Sequence, residues 1–146
     1  MTTIKDISVK MDNKPGALWS LSELLRSNGL AILGLTVRQE GDRGIVNFLA
    51  GEPSRVLHVL ESAGYTPTAH EVIAAEVPSH PGGFNVILKA LKNAEVNIDY
   101  LYSCSGLRAL GEGAILLIGT DKSSAAAESL TREWIRLWGE EIYGIM

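Results

Sequence analysis

The sequence predicts an α+β protein built from two ferredoxin-like βαββαβ units in tandem, with antiparallel sheets and helices on one face of each sheet. Three observations lead to this fold class. The length of 146 residues suits two small units. The chain repeats itself at a fixed shift, and strand-like and helix-like patterns alternate in the same order in both copies. We place the units at residues 1–71 and 72–146.

The repeat relates residues 7–37 to residues 73–103 by a shift of 66 positions. The identical positions fall on a Pro-Gly turn and on the apolar positions of periodic segments, where structural repeats retain identity. Beyond residue 101 the shift becomes 69, which implies a three-residue insertion within residues 103–112. The identical pairs are Ile7 and Ile73, Pro15 and Pro81, Gly16 and Gly82, Leu25 and Leu91, Ile32 and Ile98, and Leu35 and Leu101.

In the first copy, residues 7–11 alternate apolar and polar, as in a half-buried strand. Pro15 is suited to the first turn of a helix, and leucines spaced three and four apart follow it. Gly29 provides a left-handed end for that helix. The remaining elements are predicted in order as a strand over 30–39, a turn at 41–42, a strand over 44–50, a helix over 52–64 and a strand over 65–70.

The second copy follows the same plan. Its last helix contains Trp134 and Trp138, whose spacing of four places them on one face. We expect this face to be buried, with an oligomer contact as the alternative. The elements are predicted as a strand over 72–77, a loop over 79–83, a helix over 84–93, strands over 96–103 and 113–119, a helix that runs through Leu137 with Asp121 as its N-cap, and a strand over 141–145.

Composition argues against several classes of protein. A net charge of −4 argues against a large binding surface for the phosphate backbone, so we expect no nucleic-acid partner. Cys104 is the only cysteine, so we expect a free thiol in a loop rather than an intrachain disulfide. The first residues lack an apolar segment, and the longest apolar run, residues 114–118, is too short to cross a membrane. We therefore expect a cytoplasmic protein without a membrane partner.

Nothing in the sequence forms a recognisable catalytic or metal centre. His58, His70 and His80 are scattered, whereas zinc ligands usually cluster. Cys104 has no base nearby in the sequence to activate it. We therefore predict no metal, no cofactor and no enzymatic activity.

The two Pro-Gly loops are the most informative candidate site. Each precedes a predicted helix, whose first N–H groups lack intrahelical partners and carry partial positive charge. Gly16 and Gly82 allow close approach to the backbone. Such a loop can hold a small carboxylate. The alternative interpretation is that Pro-Gly only begins a helix.

The sequence resembles the ACT domain family, and in particular small tandem ACT proteins. The resemblance covers nearly the whole chain and is carried by residues 12–18 (Asp-Asn-Lys-Pro-Gly-Ala-Leu), 29–35, 77–84 and 97–102 (Asn-Ile-Asp-Tyr-Leu-Tyr). It implies a regulatory module that binds amino acids. It also implies that domains pair side by side into an eight-stranded sheet. Ligands would then lie at the seam, between the first loop of one domain and the second strand of its neighbour.

The resemblance implies two candidate ligand sites. Backbone N–H groups of Gly16 or Gly82 would bind the carboxylate of the ligand. Carbonyls of the facing strand, or the side chains of Asp12, Asn13 or Asp99, would bind its ammonium group. The side chain of the ligand would meet Leu18 or Phe84. The complete candidate set is Asp12, Asn13, Pro15, Gly16, Ala17 and Leu18 with Leu33, Gly34 and Leu35, and Ser79, His80, Pro81, Gly82, Gly83 and Phe84 with Asp99, Tyr100 and Leu101.

The predicted function is therefore a non-catalytic regulatory protein that binds an amino acid at the interface of tandem ACT-like domains. The alternative is a protein-interaction or oligomerisation module without a ligand, acting as a regulatory subunit of a metabolic enzyme. Long second strands would be sheet edges unless they pair, so we expect at least intramolecular pairing and also a homodimer. Asp12 and Asn13 correspond to Pro78 and Ser79 in the second copy, so the two sites are not expected to be equivalent.

Overall fold

The computed structural model describes residues 3–104 and 114–145. It contains two compact units. The first unit is Lys5–His70, and the second is Glu71–Met146 together with Met1–Ile4. The chain passes from the first unit to the second within one strand.

The first unit is an antiparallel sheet with two helices. The strand order is β2-β3-β1, and both pairings are antiparallel. The elements are β1 (Ile4–Asp12), α1 (Ala17–Ser27), β2 (Ile32–Glu40), β3 (Arg43–Ala50), α2 (Pro53–Ser62) and β4 (Thr68–Glu76), the last of which continues into the second unit.

One face of the first sheet is covered by both helices. The apolar positions of β1 alternate towards them, and α1 buries Leu21 and Leu25 completely. Helix α1 ends at Asn28 and Gly29, where the φ of +72° at Gly29 turns the chain and the N–H of Leu30 donates to the carbonyl of Leu25. The buried residues of this core are Ile7, Val9, Met11, Leu21, Leu25, Leu30, Val46, Phe48, Ala50, Val56 and Leu60.

The second unit has the same plan. Strand β4 lies between β7 and β6, and β6 pairs with β5, all antiparallel. Helices α3 and α4 cover the face that carries Ile73 and Ile118. The remaining elements are α3 (Gly83–Asn93), β5 (Tyr100–Cys104), β6 (Ile115–Gly119), α4 (Ser123–Arg132), β7 (Leu137–Trp138) and a 3-10 helix (Glu140–Ile145). The tandem βαββαβ fold is thereby confirmed.

The last quarter of the chain corrects the sequence prediction. Helix α4 ends at Arg132 instead of Leu137, because Trp134 takes a φ of +61° and its N–H donates to the carbonyl of Thr131. Trp134 is therefore 94% exposed, while Trp138 lies on β7 and is buried. The predicted shared face does not exist. The predicted strand over 141–145 is a 3-10 helix, and the residue before α4 is Lys122, so Asp121 is not its N-cap.

The second copy also differs in its middle strands. Strand β5 starts at Tyr100, not at Val96, because Val96 is used to close α3: its N–H donates to the carbonyl of Leu91. Cys104 is the last residue of β5 and is buried, so the expectation of a thiol in a loop is wrong. The predicted insertion within residues 103–112 lies, from residue 105 onwards, outside the described residues.

Candidate functional site

The Pro-Gly loop of the second unit leads directly into α3. Gly82 precedes the helix with a φ of +88°, and the N–H of Val86 donates to its carbonyl. No side chain in the described part of the chain caps this helix, and its first turn contains no acidic residue. The amides at its start are thus left without the side-chain oxygen that usually satisfies them.

A surface groove of about 570 Å³ surrounds this loop. It is lined by residues 77–85, which include every loop residue predicted for the second site: Ser79, His80, Pro81, Gly82, Gly83 and Phe84. The aromatic ring of Phe84 is half exposed at this groove, although a phenylalanine in a folded protein is usually buried. The groove therefore combines a helix start that lacks a side-chain cap with an apolar wall.

The two adjacent glycines of this loop serve different purposes. A Cβ at Gly82 would meet nothing within 4 Å, so the space beside it is open. A Cβ at Gly83 would lie 2.1 Å from the carbonyl oxygen of Pro78. Gly83 is therefore required because the loop folds back onto the start of the helix, and Gly82 because the backbone is left-handed there.

The loop of the first unit repeats this backbone geometry. Gly16 has a φ of +87° and precedes α1, and the N–H of Ser20 donates to its carbonyl. Within the described chain α1 also lacks a side-chain cap and an acidic first turn. The N–H of Ala17 donates to the carbonyl of Lys14 at 3.2 Å, just as Gly83 donates to His80 at 3.0 Å. The repeat seen in the sequence is thus a repeat of conformation.

The groove beside the first loop is larger, about 910 Å³, and has a different lining. Of the residues predicted for the first site, only Asp12 and Ala17 line it. Its other lining comes from the sheet face opposite the helices, from Met11, Lys14 and Ser20, and from Gly64, Tyr65, Thr66, Thr68 and His70. On that face the groove is lined by Ser8, Lys10, Arg38, Glu40, Arg43 and Ile45.

The second strands do not join the loops within either unit. Leu33, Gly34 and Leu35 lie on β2, which β3 separates from β1 and its loop. Leu33 forms a β-bulge in β2, because Ile32 pairs with Ala50 and Gly34 pairs with the next residue, Leu49.

The matching residues of the second unit are at the start of β5, the other edge strand. Asp99 and Leu101 are exposed, and the N–H of Asp99 donates to the carbonyl of Gly119. The ring of Tyr100 stacks on Tyr102 and lies so close to Gly119 that a Cβ there would be 2.4 Å from it.

The chemistry of the described residues offers no obvious nucleophile. Burial raises the pKa of Cys104 to about 11, which keeps its sulfur as an unreactive thiol at neutral pH. No group of three or more His, Cys, Asp or Glu residues suited to a metal ion occurs within residues 3–104 and 114–145. Over the same ranges no helix is both long and apolar enough to span a bilayer.

The sequence matches the family described as an ACT domain pair over residues 1–141. The chain belongs to the ACT domain pair family. This membership agrees with the two βαββαβ units and with the Pro-Gly loops at the start of α1 and α3. A search of curated proteins finds no match.

Solved structures share this ACT pair fold at low sequence identity. A Bacteroides thetaiotaomicron protein is 22% identical, with 97% of this chain and 96% of that chain covered and a TM-score of 0.86. The ligand-free regulatory subunit of aspartate kinase from Thermus thermophilus is 15% identical, with 92% and 94% covered and a TM-score of 0.64. The aspartokinase α and β subunits give 16% identity, 89% and 91% coverage and a TM-score of 0.54.

The cationic part of the first groove was missed by sequence reasoning. Lys10, Arg38 and Arg43 are far apart in the sequence and come together only through the register of three strands. The available signal was that Lys10 and Arg38 occupy the polar positions of alternating strands. A cation at such a position usually faces solvent, so that signal is weak.

Proposed function

We propose that this ACT pair is a non-catalytic regulatory protein that binds an amino acid at its Pro-Gly loops. We also propose that each βαββαβ unit is one ACT domain, with residues 1–71 and 72–146 as the two domains. The observation that carries the proposal is the repeated left-handed glycine before an uncapped helix, at Gly16 and at Gly82. Two copies of one backbone device at equivalent places favour a shared purpose over a simple helix start.

The second loop offers the more complete site of the two. Uncapped amides at the start of α3 would bind the ligand carboxylate, helped by the partial positive charge of the helix end. The open space beside Gly82 would admit the ligand, and the exposed ring of Phe84 would contact its side chain. The ammonium group of the ligand would need hydrogen-bond acceptors from the second strand of a unit. These acceptors would come from Leu33–Leu35 in the first unit or Asp99–Leu101 in the second, and both segments lie at a sheet edge.

Those edges also support a homodimer. Leu35 and Val37 on β2 and Leu101 on β5 are 40–48% exposed. Exposed apolar side chains on an edge strand favour pairing with another strand. Association of two chains would bring the second strand of one copy towards the loop of the other and so complete the ligand site.

The regulated partner is proposed from the neighbours. One structure that shares the fold is described as the regulatory subunit of aspartate kinase, and another as the aspartokinase α and β subunits. We therefore propose that this chain regulates a metabolic enzyme. The alternative, an interaction module without a ligand, would use the same exposed edges. We propose a cytoplasmic location, since a reducing compartment keeps a buried free thiol such as Cys104 reduced.

A thermal-shift screen against the twenty amino acids tests ligand binding. An amino acid at 100 times its dissociation constant should stabilise the fold by about 2.7 kcal/mol. Gly82→Ala should abolish the shift if the second loop binds, and Gly16→Ala should do so if the first binds. Gly29→Ala is the matched control, since it also has a positive φ and an open Cβ position but lies at the other end of α1. If no amino acid shifts the melting temperature, the alternative function, an interaction module without a ligand, is favoured.

Sedimentation equilibrium tests the dimer. Val37→Lys places a charge on the exposed edge of β2 and should weaken association. Leu88→Lys is the control, because Leu88 is 41% exposed but lies on α3. Equal association of the two variants would contradict pairing through β2.

A further inference from the structure

The groove of the first unit has an ordered charge pattern on the sheet face opposite α1 and α2. The strand register places Lys10, Ile45 and Arg38 in one cross-strand row. Asp12, Arg43 and Glu40 form the next row. Val9 and Val46, which alternate with these residues, belong to the core under the helices, so both rows face away from it.

Cations outnumber acids at this groove. Lys10, Lys14, Arg38 and Arg43 line it, against Asp12 and Glu40. The whole chain shows the reverse balance, with 13 Lys and Arg against 17 Asp and Glu. Lys10 and Arg38 each lie diagonally across from Arg43 on β3, so a bound anion would reduce the mutual repulsion of these three cations.

The arginine side chains are held in place from within the protein. Nη1 of Arg38 donates to Oδ1 of Asn47 at 3.3 Å, and Asn47 is only 2% exposed. Nε of Arg43 donates to the carbonyl of Met11 at 3.3 Å and lies 3.8 Å from Oδ1 of Asp12. Each guanidinium has five N–H groups, so most of them remain for a ligand.

Lys10 and Arg38 have no acidic partner among the described residues. They lie on either side of Ile45, two strand spacings apart, which places their Cα atoms about 10 Å from one another. Ile45 is 4% exposed and forms an apolar floor between them. Two cations separated by an apolar strip match a short carbon chain with an acidic group at each end.

We infer that this groove binds a small dicarboxylate, with one carboxylate at Lys10, the other at Arg38 and Arg43, and the carbon chain over Ile45. The ammonium group of an acidic amino acid would have Asp12 or Glu40 as its acceptor. The three cations that would hold the carboxylates, Lys10, Arg38 and Arg43, lie on strands outside the Pro-Gly loops, so the inference does not rest on the proposed function.

Isothermal titration calorimetry of the full chain tests this site. Succinate should bind, whereas its neutral analogue succinamide should not. L-aspartate and L-glutamate show whether an amino group adds affinity or excludes the ligand. The double variant Lys10→Gln and Arg38→Gln should weaken succinate binding by about tenfold or more, because charge-assisted contacts are lost. Lys89→Gln with Lys92→Gln, on the exposed side of α3, removes the same charge and should leave binding unchanged.

Two measurements on the unsubstituted protein keep the test independent of variant folding. Added NaCl should weaken succinate binding through screening of the cations. Succinate should also shift the methyl NMR signals of Ile45. Succinamide binding as tightly as succinate, or no response at Ile45, would overturn the inference. If no dicarboxylate binds, this inference is wrong, while an amino acid that shifts the melting temperature through Gly82 would still support the proposed function.

Discussion

Replacing Gly83 by alanine separates two opposite expectations for the stability of the second unit. Helix propensity alone predicts a gain, since alanine is better than glycine by about 1 kcal/mol in a helix. The structure predicts a loss. A Cβ at position 83 would lie 2.1 Å from the carbonyl oxygen of Pro78, 3.1 Å from its carbonyl carbon and 3.3 Å from Cγ1 of Val77.

The backbone has little freedom to relieve this clash. The closest atom belongs to the main chain of a proline, so no side-chain rotation removes the contact. The preceding residue, Val77, is held by its N–H bond to the carbonyl of Ala114 at 3.0 Å. Overpacking of this kind costs about 1–3 kcal/mol, and a backbone obstacle puts Gly83→Ala at the upper end.

Gly82→Ala is the matched comparison in the same loop. Its Cβ would meet nothing within 4 Å, and only the φ of +88° opposes it, at a cost of about 1–2 kcal/mol. We expect urea unfolding, followed by circular dichroism, to give the highest free energy of unfolding for the unsubstituted protein, a lower one for Gly82→Ala and the lowest for Gly83→Ala. A Gly83→Ala variant as stable as the unsubstituted protein would refute the close approach of the loop to α3.

Three further outcomes follow from burial. Leu25→Ala should lower the free energy of unfolding by about 2–5 kcal/mol, and Leu35→Ala, at a 40% exposed edge position, by much less, as urea unfolding will show. Ser129→Ala should cost about 1 kcal/mol in the same assay, since the buried Ser129 hydroxyl donates to the carbonyl of Ala90 at 2.7 Å. Burial raises the pKa of Cys104 from 9.0 to about 11. The unfolded thiol therefore loses its proton first, and stability should fall by up to about 1.4 kcal/mol per pH unit between pH 9 and 11, but not in Cys104→Ala.

The regular parts of the fold could be predicted because local and tertiary preferences agree there. Helix α1 shows this well: Leu21 and Leu25 give the period, and Gly29 gives the end. The C-terminal part could not be predicted in the same way. The spacing of Trp134 and Trp138 is helical, but β7 pairs with β4 through Ala74 and Trp138, and this pairing determines where the helix must stop.

The candidate sites also differ in how far the sequence could predict them. The Pro-Gly loops are local, so the sequence shows their glycines and their position before a helix. The cationic groove depends on the register that places Lys10 and Arg38 on either side of Ile45, and no short stretch of sequence contains that information. Residues separated by about thirty positions meet there only because β2 and β1 both pair with β3.

The two copies retain one backbone and differ in chemistry. Gly16 and Gly82 adopt the same left-handed conformation, but Ala17 occupies the position that must be glycine in the second loop. The first loop also borders a cationic groove, whereas the second borders the exposed ring of Phe84. The two units thus share the same helix start, and the residues around it differ. This arrangement suits the proposed regulatory function if the two domains respond to different ligands.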